Sequence, residues 1–346
     1  MEMQSLSNWT RSVLFFLISF GSASTGLFQA SLPAQETGDF TSTDTLQVAK
    51  YEAHDTLAIA ADDMTDAQEC LEGLAWKPSA FEAETVINSP KNAYELRFPS
   101  PRPSGVAEVD QVVCEWYPAM DEEGQVRKAR ATIVIHESGS KMTVGRLVAR
   151  EIGRRGMHAF MVQMPGYGSR RADGFSTDNL VEVFKQGVAD ARRARDAVAA
   201  LPCVDGSHIG IQGTSLGGFV ATLTSSLDKK FDRQVLVLCG GDLHGVLTQG
   251  AKDAKKTLER LLATGVREAD LESLLAPIEP LRIAHRLPQE STWLFYASFD
   301  SVVPPKNAKQ LAECIKLAKD HQKVMLANHY TGIAYLPGII EKVVED

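Results

Sequence analysis

The sequence predicts an α/β fold: a mostly parallel central sheet flanked by helices and carrying a helical cap insert. Three observations predict it. From residue 109 onward, short apolar runs alternate with helical segments. Several of those runs are continuously apolar, as strands covered on both faces are. A stretch of about 50 residues, rich in Leu, Ala, Lys and Glu, interrupts the alternation between Cys239 and Thr292. At 346 residues, 44% apolar and 23% charged, the chain can bury a substantial core in one large domain or in a domain with an appendage.

Arg11 is followed by the apolar run 13–20, and then by small and polar residues through Ala23, Ala30 and Ala34. That is the order of a secretory signal peptide. The run is far shorter than the roughly 20 residues needed to cross a bilayer, so no stable membrane span is expected. Residues 1–35 are therefore expected to direct export, giving a secreted or periplasmic protein, with an N-terminal membrane anchor as the alternative. Residues 36–108 form an N-terminal segment to which the sequence assigns no role, with one helix expected at 62–74. Three prolines between Phe98 and Gly105 exclude a helix there and mark a connector, the expected boundary before a domain spanning 109–346.

Within that domain strands are expected at 109–117, 131–135, 159–163, 208–212, 234–239, 292–297 and 323–328. Helices are expected at 144–155, 180–201, 215–227 and 307–319. The insert, about 243–291, reads as two or three short helices, either a lid over a site or a solvated decoration.

The formal charge of -8 and the lack of any Lys/Arg block exclude a nucleic-acid partner held through phosphate. Of five cysteines (Cys70, Cys114, Cys203, Cys239 and Cys314), one stays unpaired even if export permits two disulfides. No Cys-x-x-Cys, His-Glu-x-x-His, phosphate-binding Gly-x-x-x-x-Gly-Lys or EF-hand loop occurs. No metal and no cofactor is therefore expected. Arg192-Arg-Ala-Arg195, beside Asp190 and Asp196, reads as a solvated helix face.

Chemistry concentrates at Gly213-Thr-Ser-Leu-Gly217, where an apolar strand runs into Gly-x-Ser-x-Gly and then into a helix. A serine hydroxyl is a weak nucleophile unless it is exposed beside a base. A sharp strand-to-helix turn projects Ser215 above the sheet edge, and the two glycines leave room for the strained backbone. The N–H of Leu216, at the helix start, is placed to meet a developing oxyanion.

Over residues 109–346 the chain resembles the α/β-hydrolase family. His136-Glu-Ser-Gly-Ser140 stands where the family carries a His-Gly segment that supplies a second oxyanion donor, with Glu137 in place of the glycine; the resemblance implies the N–H of Glu137 or of Ser138. Met164-Pro-Gly-Tyr-Gly-Ser169 resembles the family's Pro-Gly-x-Gly-x-Ser loop. The family's order of nucleophile, acid and base implies Asp300, beyond an apolar strand and before Val-Pro, and His329, beyond the last strand. Asp242 is the alternative acid. His136, His158, His208, His244, His285 and His321 are read as surface or satisfied core residues. The resemblance implies a serine hydrolase, with a small-molecule ester as partner. A peptidase using the same three residues and a non-catalytic binding protein of the same fold are the alternatives.

Overall fold

A computed structural model describes residues 46–88 and 93–345. The expected signal peptide lies outside the described residues. Among those described, no helix is long and apolar enough to cross a membrane.

Ten strands form one sheet in the order β1-β2-β3-β4-β6-β5-β7-β8-β9-β10. They are β1 Leu46–His54, β2 Ala80–Asn88, β3 Ala93–Pro99, β4 Gln111–Tyr117, β5 Ala129–Ile135, β6 His158–Val162, β7 Val204–Thr214, β8 Gln234–Val237, β9 Thr292–Ala297 and β10 Gln322–Met325. The strands from β5 to β10 are mutually parallel, while β1 to β4 join antiparallel, β4 pairing with β6. The main helices are α1 Thr65–Leu74, α2 Ala107–Asp110, α3 Thr143–Arg154, α4 Leu180–Ala199, α5 Leu216–Asp228, α6 Leu243–Gln249, α7 Asp253–Ala263, α8 Leu271–Leu275, α9 Pro305–Ile315 and α10 Leu336–Val344.

The continuous apolar runs are explained by two cores. Ile133, Ile135, Phe160, Val162, Ile209 and Ile211 face one side, under α1, α4, α5 and α9. Their neighbours Val134, Ala159, Met161, Val235 and Val237 face the other, under α3 and α10. Alternate residues of each strand are thus buried on opposite faces.

Two expectations change, at residues 98–105 and at the arginines of α4. Residues 98–105 are not a boundary: Phe98 and Pro99 end β3 and pair with Val112 and Gln111 of β4, so β1, β2 and β3 extend the same sheet. The cysteines are all free thiols. The arginines of α4 are not solvated. Arg192 makes a two-pronged bond to Asp228 (3.0 and 2.8 Å), and Arg193 another to Asp55 (2.9 and 2.5 Å), with all four side chains at 5% exposure or less. Asp196 accepts both the amide and the hydroxyl of Thr56 at 2.7 and 2.8 Å. The reason is topological, because the segment after β1 crosses the face of α4 that a minimal sheet would leave in water.

The insert also divides. Residues 276–286 pack beside α1, where Cys70 Sγ bonds the Pro277 carbonyl and Arg286 and His285 both bond Asp62 at 2.9 Å. The α6–α7 stretch sits apart, at the carboxyl ends of the outer strands.

Two outcomes are expected. Asp190 and Arg170 are fully buried and 2.6 Å apart, and Arg170 also holds the carbonyls of Val109 and Gln163. Asp190→Ala, which strands a buried guanidinium, should lower unfolding free energy by about 3–5 kcal/mol in urea titration. For Asp62, burial works to raise the carboxyl pKa, but the bonds from Arg286 and His285 outweigh it and hold it at about 2. Its stabilising contribution is complete above the unfolded value of about 3.9 and is lost as pH falls through the folded one. The gap in urea midpoint between wild type and Asp62→Asn should therefore be widest at neutral pH and close as the solution is acidified.

Candidate active site

Ser215 joins β7 to α5 with φ 54° and ψ -115°, a positive-φ conformation that a side-chain-bearing residue rarely adopts. Such a backbone costs on the order of 1–3 kcal/mol and persists only where its surroundings over-determine it. They do. A methyl group built on Gly217 would overlap the Ile135 carbonyl and lie 2.7 Å from that of His136, while one on Gly213 would overlap the Gly217 carbonyl. The first turn of α5 therefore lies directly on the ends of β5 and β7. Ser215 N–H donates to Val237 of β8 at 2.8 Å, and the Ser215 carbonyl accepts from Gly218 and Phe219.

Ser215 Oγ lies 2.9 Å from His329 Nε2, and His329 Nδ1 lies 2.7 Å from Asp300 Oδ2. The other Asp300 oxygen accepts the amides of Val302 and Val303 at 2.8 and 3.0 Å. With its carboxylate acting as acceptor, Nδ1 must donate, which leaves Nε2 with a lone pair directed at the serine. Asp300 is 2% exposed and His329 9%, so water competes little for either bond. His329 sits in a turn set by Asn328, whose side-chain oxygen accepts the amides of Tyr330 and Thr331 at 2.9 and 3.0 Å. The three side chains come from the carboxyl ends of β7, β9 and β10.

The alternative acid is engaged elsewhere. Asp242 caps α6, accepting Gly245 N–H at 2.8 Å. The other histidines read from sequence as structural are tied to structure where bonds are seen. His136 is fully buried, with Nδ1 donating to the Glu137 carbonyl at 2.6 Å and Nε2 accepting Met164 N–H at 3.1 Å. His158 bonds Trp116, Ala119, Arg127 and Cys203. Burial lowers the pKa of both, so each is a neutral link between loops.

Leu216 opens α5, so its N–H is one of the first-turn amides with no intrahelical acceptor. Glu137 has a role the sequence did not suggest. Its carboxylate accepts Val144 and Gly145 N–H, both at 3.0 Å, and so caps α3, whose own N-cap residue Met142 offers no side-chain acceptor. The side chain is committed to the helix, while Ser138 beside it is exposed. Tyr167 of the Pro-Gly-Tyr-Gly loop packs on His136 at 4.7 Å and donates to the Ser138 carbonyl at 3.2 Å, bracing the turn that follows β5. A cavity of about 540 Å³, lined by Arg127, Lys128, Arg130 and Arg155, lies at the opposite, amino-terminal end of β5, away from these groups.

Sequence reading missed Tyr330, whose ring meets His329 edge-on at 5.6 Å and whose hydroxyl donates to Asp253 Oδ2 at 3.0 Å. An aromatic directly after the histidine was the available signal.

No protein-family model and no curated protein matches the chain. Among solved structures it is similar to an acetyl xylan esterase from Paenibacillus sp. R4, with TM-score 0.57, 16% identity and coverage of 82% of this chain and 95% of the other. It is likewise similar to acetyl xylan esterase 1 from Thermoanaerobacterium sp. JW/SL YS485, with TM-score 0.55, 15% identity and coverage of 83% and 96%. A puromycin-hydrolyzing peptidase from Mycobacterium tuberculosis gives TM-score 0.52 at 17% identity, covering 75% of this chain and 43% of that one. The likeness is one of fold: the chain has the α/β-hydrolase fold.

Gly217→Ala tests the close approach. The added methyl meets backbone carbonyls that no rotamer change can move, so the variant should lose at least about 3 kcal/mol of stability, the upper end of overpacking costs. An unchanged urea midpoint would show that α5 can shift freely.

Proposed function

We propose that this chain, with its α/β-hydrolase fold, is a serine hydrolase that cleaves a carboxylic ester through an acyl-enzyme on Ser215. One observation carries the reading: the unbroken relay from Ser215 Oγ through His329 to Asp300, at 2.9 and 2.7 Å. His329 Nε2 takes the hydroxyl proton as Ser215 Oγ forms a bond to the ester carbonyl carbon. Asp300 fixes the ring and stabilises the imidazolium. The Leu216 N–H, with one from the Glu137-Ser138 turn, holds the oxyanion. Collapse of the tetrahedral intermediate breaks the bond to the alcohol oxygen, which takes the proton from His329. Water then attacks the acyl group, giving its proton to His329, and the acid leaves as that proton returns to Ser215.

Two of the structurally similar proteins are acetyl xylan esterases. That supports a short-acyl ester as the first substrate class to try. The peptidase among the neighbours makes an amide the informative counter-substrate.

Ser215→Ala should abolish labelling by a fluorophosphonate probe and lower ester hydrolysis by at least about a thousandfold, with His329→Ala close behind, since such groups act as a unit. Persistent labelling of folded Ser215→Ala protein would sink the assignment. Faster turnover of p-nitroanilide amides than of p-nitrophenyl esters would make the protein a peptidase, and a wild-type protein that is folded but unlabelled would make it a binding protein.

A further inference from the structure

The acid and the base stand on neighbouring loops, after β9 and β10, the two outermost parallel strands. The loops are joined at their roots, where Ser298 N–H donates to the Met325 carbonyl at 2.9 Å and Phe299 N–H to that of Ala327 at 3.0 Å, and diverge beyond. A short piece of the insert, Gln249 to Asp253 between α6 and α7, touches both. On the acid side Ala251 N–H donates to the Ser301 carbonyl at 2.6 Å. Gly250 lies so close to the same loop that a methyl group there would stand 2.5 Å from the Val302 carbonyl. The Gln249 side chain accepts from Lys306 in the first turn of α9.

On the base side the Tyr330 hydroxyl donates to Asp253 Oδ2 at 3.0 Å, and Lys252 Nζ stands 4.5 Å from the centre of the same ring. The edge-on contact of that ring with His329 completes the path from the insert to the imidazole. The backbone of Lys252 is held at φ 54° and ψ -109°, nearly the conformation of Ser215 and one that favours glycine. A lysine stays there only where its contacts over-determine it. Tyr330 is 47% exposed, yet its hydroxyl bonds a carboxylate rather than relying on water alone. Burial and then that bond push its pKa up to about 12, so it remains a donor at neutral pH.

We propose that Gln249–Asp253 is a positioning element that spans the outer parts of the acid loop and the base loop and braces them beyond their direct bonds, with Tyr330 and Asp253 as its positioning pair. The alignment of Asp300 and His329 then depends on the insert being seated. This rests on the serine-hydrolase reading above and assigns the insert a task within it: holding the relay together from outside the sheet.

The experiment is a double-mutant cycle on the full chain, with Tyr330→Phe, Asp253→Ala and the pair combined. It reads kcat and KM on a short-chain p-nitrophenyl ester, with melting temperature alongside. Each single substitution should lower kcat by about tenfold, the scale of a small misplacement of a catalytic group, with KM within about twofold. The double variant should be no slower than the slower single, because both break one link. Asp253→Asn, which keeps an acceptor for the tyrosine, should recover most of the loss. Unchanged kcat with a lowered melting temperature, or losses that multiply in the double variant, would overturn the proposal. Fluorophosphonate labelling of wild type is the separating control: without labelling at Ser215 the hydrolase reading falls and this one with it, whereas labelling with unchanged kcat in the variants removes only this one.

Discussion

No side chain fits at Gly217, because its α-carbon rests on the carbonyls of Ile135 and His136, and none fits at Gly213, because Gly217 is already there. This mutual contact of two glycines with two strand ends brings α5 down onto the sheet. It forces the turn between them through a conformation that serine can hold only with the sheet around it. Everything at the site is measured from that turn. The Ser215 amide reaches across to Val237, Leu216 opens the helix, and the hydroxyl stands where the loop after β10 delivers His329.

The loops after β9 and β10 are held by a different means. Asp300 is fixed by two amides of its own loop and His329 by the Asn328 turn, so each is locally preorganised. The two loops are also joined directly, Ser298 N–H donating to the Met325 carbonyl at 2.9 Å and Phe299 N–H to that of Ala327 at 3.0 Å, and the insert touches both from outside. A turn held by close backbone packing therefore meets His329 and Asp300, which are placed by hydrogen bonds.

Much of this was legible in the sequence, for a physical reason. A strand buried on both faces is continuously apolar, and in a parallel sheet loops at the strands' carboxyl ends meet, so Ser215 stands directly after such a run and Asp300 three residues after another, while His329 follows the edge strand β10 by four. The edge of the sheet was less legible. In β2, Phe81, Ala83 and Thr85 are buried between Glu82 and Glu84. In β3, Leu96 and Phe98 alternate with Glu95 and Arg97, a period-two pattern that an eye set for continuous runs passes over. The arginines of α4 could not be placed from their own segment at all. Whether a guanidinium is solvated depends on what crosses it, and the crossing residues, Asp55 and Thr56, lie more than a hundred positions away. The capping by Glu137 escaped for the same reason, being a bond to a helix that starts several residues later.

The buried charges of α4 tie the middle of the chain to the segment after its first described strand. A sheet that began at β4 would leave Arg193 without Asp55 and the α4 carboxylate Asp196 without Thr56, and would select other residues at those places. Arg193 and Asp196, in the middle of the chain, are thus completed by two residues that follow β1, and the first strand is held to the helix by charge as well as by its ladder.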